Sequence, residues 1–310
     1  MFYKGLILLK RILKLEPYFK DVLWGGTALS DVFGMNIPTD TTGEAFSAST
    51  VPGFCSTVGG EDFSRYAGDS SYTGEGGFNI LFKLIDAKEP LSVQVHPDDE
   101  LAKKLEGGRG KTECWYVLAA KEGAFLYLGF KDGVKKEDFV KAIESGTADS
   151  LLNRVPVKPG DFFFVPAKTV HAIGKGILIA ELQQSCDTTY RVYDYNRRDK
   201  EGNLRPLHIE KAMLSSSFAP YRNVAVRRLS KTRERLCSCE YFTFDRVTLS
   251  GTECEESNEK YTLIFFESGS ASITLGDETV SAKKGETFFI AAHSGAFTVS
   301  GEGTYLKMTE

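Results

Sequence analysis

The sequence predicts a mainly β protein made of two barrel-like units, with a few short helices. Three observations predict it. Apolar runs of strand length recur along most of the 310 residues, separated by turn residues. The composition carries 30 glycines and many β-branched and aromatic side chains. One stretch of the chain also resembles a later one, as a repeated structural unit does.

Residues 78–85, 91–96, 114–119, 124–128, 161–165 and 177–183 read as strands. Helical patterns are few. Residues 98–105 open with Asp98, Asp99 and Glu100, acids that complement a helix dipole. Residues 134–145 repeat at helical spacing through Phe139, Val140 and Ile143, and 207–216 is a third, short candidate. Residues 43–77, with their VPGF, VGGED and YTGEGG stretches, read as a loop-rich segment of the kind that borders sites.

The repeat pairs 157–176 with 282–303 and, upstream, 116–129 with 261–276. Each copy has a basic residue, a Gly-acid turn, an aromatic-rich strand and a Gly-closed hairpin. This predicts a first unit over 1–220 and a second over 221–310 that lacks the helix near 134–145. His171 lies eleven residues after Gly160, and the matching position after Gly285 is Ala296. Metal chemistry is therefore expected in the first unit alone.

Charge and composition exclude some functions. Hydrophobic residues make up 42% and charged residues 26%, as in a globular protein with a self-sufficient core. A net charge of −4 argues against a general nucleic-acid binder, yet leaves room for a local basic cluster that holds a phosphate. The six cysteines, at 55, 114, 186, 237, 239 and 254, have no framework spacing, and nothing completes a zinc quartet around Cys237 and Cys239. They read as reduced thiols in a cytoplasmic protein. The apolar run Gly5 to Leu9 is too short for a signal core or a membrane span, so the start is expected to be an extended lead into the first strand, with no membrane partner.

The chemistry-bearing residues come from three of these strands. In LSVQVHP, alternation puts Ser92, Gln94 and His96 on one face and Leu91, Val93 and Val95 on the other. A polar inner face is costly in a small barrel unless a metal or substrate uses it. Glu113 opens an apolar strand, with Lys111 at the same parity. His171 follows a buried strand and its turn. Two histidines and a carboxylate suit zinc, which takes N and O ligands, and Gln94 is placed to add a fourth oxygen. The same donors also suit iron, manganese or nickel. His208 and His293 read as ordinary polar residues. Glu181 projects from an otherwise apolar face with Ile177 and Ile179, and Arg191, Arg197 and Arg198 follow in a polar segment. Such a segment is usually a solvated loop; three arginines beside a metal barrel instead point to anion recognition.

Together these motifs resemble type I mannose-6-phosphate isomerase (phosphomannose isomerase), in its compact bacterial branch. The resemblance runs through LEPYFKDVLWGGTAL, TGEAFSAS, SVQVHPDDE, GKTECWYVL, VPAKTVHAIGKG, DTTYRVYDYNR and RPLHIEKAM. It implies a cupin, or jelly-roll, barrel with a few short helices, followed by a smaller, degenerate cupin-like β domain. It further implies interconversion of mannose 6-phosphate and fructose 6-phosphate by proton transfer through an enediol. The family's ligands for one Zn2+ per chain map onto Gln94, His96, Glu113 and His171, and its catalytic arginine onto Arg191. Ser92, Lys111 and Glu181 match positions that line the family's site. Phe46 stands where the family usually has Trp, a change expected to affect packing rather than chemistry.

On this reading Ser92, Lys111 and Arg197 are candidates for the phosphate, and Glu181 or a metal-bound water carries protons. The partner is a small sugar phosphate, with no nucleic acid or membrane, and the chain is a monomer or homodimer. Two rivals are a metal-dependent dioxygenase of the same fold, with iron or manganese, and a non-catalytic sugar-binding barrel. The basic DTTYRVYDYNR segment argues against the first, and retention of every ligand argues against the second.

Overall fold

Antiparallel pairing organises the chain, and residue alternation decides what each sheet buries. The structure, a computed structural model, describes residues 10–199 and 201–310. The expectation for the first nine residues lies outside them. In the first unit, six strands pair in the order Phe162–Val165, Glu113–Ala120, Ile177–Gln184, Ile80–Ala87, Thr42–Ala48 and Tyr18–Gly26. A second sheet runs Leu152–Pro156, Phe125–Phe130, His171–Ile173, Val93–Val95 and Tyr190–Tyr193. Every expected strand of this unit forms, with ends shifted by a few residues.

The Ile177–Gln184 strand is buried at all eight positions. Ile177 and Ile179 pack with Ile85, Trp115 and Val117 in the core of the first unit. Leu178, Ala180 and Leu182 point the other way, into a core shared with Leu263, Phe265, Phe289, Leu306 and Met308 of the second unit. A strand covered on both faces reads as a continuous apolar run, and ILIAELQQ does so until its last residues.

The second unit supplies seven strands of one eight-stranded sheet, in which Thr243–Ser257 and Gly295–Thr309 pair over their full lengths. Its strands bend where backbones touch. At Gly269 (φ +77) a Cβ would lie 1.9 Å from Glu302 O, so only glycine fits there. The repeat is visible in the pairing: Phe162–Val165 lies on Glu113–Ala120 as Thr287–Ile290 lies on Thr262–Leu275. Ile12–Leu15, on the first-unit side of the division at 220, pairs with Thr287–Ile290 and so is the eighth strand of the second unit's sheet.

The three expected helices are Asp99–Glu106, Lys136–Glu144 and Ile209–Ser215. The first is capped by Asp98, which accepts from Leu101 N at 3.0 Å, and closed by Gly107 at φ +67. The expectation of a loop over 43–77 needs correcting. Thr42–Ala48 is a fully buried strand, and Ser64–Ala67 and Ser70–Thr73 are short helices. A further short helix, Ala28–Phe33, has no counterpart in the sequence reading.

Candidate active site

Strand register brings the candidate ligands together. His171 sits opposite Gln94 on one sheet, while Glu113 opens a strand of the other and pairs with Gln183. His96 follows the end of Val93–Val95. His96, Glu113 and His171 are all fully buried, and one ligand atom from each lies within 4.8 Å of the others.

Their hydrogen bonds prepare them for a cation. His96 Nδ1 donates to Thr188 O and His171 Nδ1 to Thr169 O, each at 2.9 Å. A carbonyl only accepts, so both protons sit on Nδ1 and each Nε2 presents its lone pair to the site. Burial holds both imidazoles neutral, pushing His171 down to about 4 and His96 well below its ordinary value, with Lys111 adding to the effect at His96. The Nε2 atoms of His96 and His171 lie 3.5 and 3.3 Å from Glu113 Oε2 and Oε1. Burial pushes Glu113 up to about 7, and neither of its oxygens accepts a directed hydrogen bond. The one cation against it is Lys111 Nζ, 2.5 Å from Oε2 and 3.1 Å from His96 Nε2.

The residues fit a metal. Ligand atoms around a tetrahedral ion at roughly 2.0–2.2 Å stand about 3.3–3.6 Å apart, which matches both N···O separations. A fully buried carboxylate with one ammonium beside it, facing the Nε2 atoms of two neutral imidazoles, is the N and O donor set that a cation takes. The Gln94 amide lies 3.3 Å from His171 Nε2, and a half-turn of it presents Oε1 instead. His96, Glu113 and His171 can hold a metal.

A cleft of ≈ 310 Å³ adjoins this group, lined in part by Ser92, Gln94, Lys111, Glu181 and Arg191. One wall carries Glu181 and Lys83, the middle of a row across four strands that runs Trp115, Glu181, Lys83 and Phe46. Charges alternate through that wall. Lys111 Nζ lies 4.0 Å from Glu181, Lys83 Nζ lies 2.8 Å from Glu181 and 3.1 Å from Glu44, and Lys20 lies 3.3 Å from Glu44. Trp115 Nε1 donates to Glu181 at 2.9 Å. Burial alone would raise Glu181, but Lys83 and Lys111 hold it down at about 2. Sequence reasoning missed Lys83 and Glu44. The signal was a single lysine inside the apolar run NILFKLIDA, at the parity of Ile85.

Arg191 faces the cleft from Tyr190–Tyr193, opposite Gln94 in register, and its Nη1 donates to Pro206 O at 3.0 Å. His208 accepts the Arg191 backbone N–H at 3.1 Å, and His293 is exposed. Arg197 turns away. It binds Asp194 and donates to Pro90 O, and it does not line the cleft, whereas Arg205 does. The sequence reading did not single out Arg205.

The description "Phosphomannose isomerase type I, catalytic domain" matches residues 12–114, and "Mannose-6-phosphate isomerase, cupin domain" matches residues 232–309. Mannose-6-phosphate isomerase ManA of Bacillus subtilis (strain 168) is 40% identical over 309 residues, covering 92% of this chain and 95% of its own. The chain belongs to the mannose-6-phosphate isomerase family. The crystal structure of the mannose 6-phosphate isomerase from Bacillus subtilis superposes with a TM-score of 0.89 at 35% identity, covering 96% of this chain and 99% of its own. A zinc-bound mannose 6-phosphate isomerase structure shares the fold, with a TM-score of 0.79 at 18% identity over 96% of this chain and 99% of its own. The mainly β cupin fold is as the sequence predicts, and the protein is an isomerase of this family.

Proposed function

We propose that this chain interconverts mannose 6-phosphate and fructose 6-phosphate through an enediol, with one zinc ion held by His96, Glu113 and His171 and with Gln94 as a fourth ligand. The observation that carries this is the convergence of two neutral imidazoles and a buried carboxylate at one end of a charged cleft. Zinc fits this N and O set, and the zinc-bound structure of like fold supports it over iron or manganese. When bound, zinc supplies Lewis acidity toward substrate oxygens.

The chain's own residues do the rest. Arg191, with an Nε that is buried and unpartnered, stabilises the negative charge that builds on oxygen in the enediol-forming step. Ser92 and Lys111 border the same cleft and donate to the sugar phosphate. Glu181, held at about 2, is a poor base at neutral pH. Its part is to keep Lys83 and Lys111 charged beside the substrate, and the proton between C1 and C2 would pass through a water whose ionisation the bound metal eases. We assign this chemistry to the 1–220 unit and a supporting role to 221–310. Among the described residues no helix is long and apolar enough to cross a membrane, and six free cysteines fit a reducing cytoplasm. The partner is a small sugar phosphate, bound by a monomer or homodimer.

An assay run from mannose 6-phosphate in D2O tests the reading. Fructose 6-phosphate should form with deuterium at C1. Absence of turnover excludes the activity, and turnover with no solvent deuterium in the product excludes water as the proton carrier.

A further inference from the structure

The cleft has a second cationic corner, apart from the converged ligands. Arg191 and Arg205 both line it. Arg191 spends only Nη1, on Pro206 O, and its Nε is buried with no partner. Arg205 comes from a separate segment and is gripped by Asp194, a buried carboxylate that accepts from its Nε at 2.6 Å and from its Nη2. That grip aligns the guanidinium and leaves Nη1 without a hydrogen bond among the described residues. Asp194 holds Arg197 as well, but Arg197 also donates to Pro90 O, outside the cleft. Of the carboxylates that line the cleft, Glu44 and Glu181 are matched by lysines, which leaves Asp187. Burial together with the neighbouring Arg205 depresses the pKa of Arg191.

We propose that Arg205 binds the phosphate of the substrate, and that Asp194 is the positioning residue that aims Arg205 into the cleft. This rests on the reading above that the substrate is a hexose 6-phosphate. A guanidinium fixed on one edge by a carboxylate presents its other edge to phosphate oxygens in the paired geometry that a lysine cannot supply. Distance along the sheet agrees. His171, Gln94 and Arg191 form one row over three adjacent strands, about 10 Å from first to last. A hexose with its reacting carbons at the ligand end carries its C6 phosphate toward the far end of that row.

The test compares Arg205→Ala, Arg205→Lys, Asp194→Asn and Arg197→Ala in the zinc-loaded protein. KM and kcat for mannose 6-phosphate are measured, together with calorimetric affinity for a hexitol 6-phosphate and for the unphosphorylated hexitol. Arg205→Ala should raise KM by about tenfold or more, as loss of a charge-assisted hydrogen bond does. It should erase a similar factor of the phosphorylated probe's advantage and move kcat less than KM. Arg205→Lys should fall between, Asp194→Asn should follow Arg205→Ala in direction, and Arg197→Ala should fall short of it. An advantage within about twofold of wild type in Arg205→Ala, or a larger loss in Arg197→Ala, overturns the proposal. If Arg205→Ala does not fold, Arg205→Lys, which keeps an ion pair with Asp194, decides on the same readouts. Wild-type protein that binds the probe but does not turn over mannose 6-phosphate refutes the proposed activity, while the calorimetry still judges Arg205.

Discussion

Arg191 and Glu181 both face the cleft, but their surroundings give them opposite tasks. Arg191 has a free Nε and a neighbouring guanidinium, so it lacks an anion; Glu181 has two ammoniums and an indole N–H, so its charge is already matched. Arg191→Ala should therefore lower kcat by roughly 10²–10³-fold, as loss of a group that stabilises an oxyanion does, with zinc content unchanged. Lost zinc would instead make Arg191 structural. In Glu181→Gln the pH–rate profile should keep the shape of its acid limb while its height drops; disappearance of that limb would return the proton to Glu181. Much at this scale is legible in the sequence, because period-two alternation in LSVQVHP puts Ser92, Gln94 and His96 on one face with no tertiary information. Arg205 is not legible. It lines the cleft only because Asp194, eleven residues earlier, turns its guanidinium inward, and no local pattern records that bond.

At the scale of elements, the cross-strand row through Glu181 and Lys83 ties two central strands together in a buried setting. Breaking a buried pair by removing one partner leaves a charge uncompensated. Lys83→Met takes from Glu44 and Glu181 the buried cation they share and leaves each one more distant lysine, and should cost about 3 kcal/mol at neutral pH by urea denaturation. The deficit should shrink on acidification, as the under-compensated carboxyls take up protons. In the wild type the sign is the reverse. Glu181 is held near 2, below the ordinary carboxylate value, so it contributes stability above about pH 4.5 that is lost as pH falls toward 2. A Lys83→Met protein as stable as wild type at pH 7 would show that the alternating charges are incidental. The Thr42–Ala48 strand, which supplies Glu44, was hidden in the sequence because its residues are small and polar. Close packing makes it: a Cβ at Gly43 would lie 2.6 Å from the Trp24 ring. Tertiary contact thus overrode a composition that reads as loop.

At the scale of the molecule, the two units share a core. Phe289 of the second unit is fully buried in it, stacked on Tyr261 at 5.2 Å and edge-on to Phe63 of the first unit at 5.2 Å. Ile12–Leu15 pairs into the second unit's sheet. Units joined through a large apolar interface unfold together, so calorimetry should show one transition. Phe289→Ala should lower it as a whole, by about 3–5 kcal/mol; two separated transitions would contradict a shared core. The repeat made both units legible, since hydrophobic pattern and turn chemistry are local. It could not reveal the shared core, where residues from distant segments meet.

The central claim is that His96, Glu113 and His171 hold the zinc on which isomerisation depends. Zinc content and mannose 6-phosphate turnover, measured on the same samples through chelation and re-addition of zinc, test it most directly, with His171→Ala alongside. Turnover should track zinc up to one ion per chain, and folded His171→Ala should lack both. Undiminished turnover in zinc-free wild-type protein, or full zinc and turnover in His171→Ala, would contradict it.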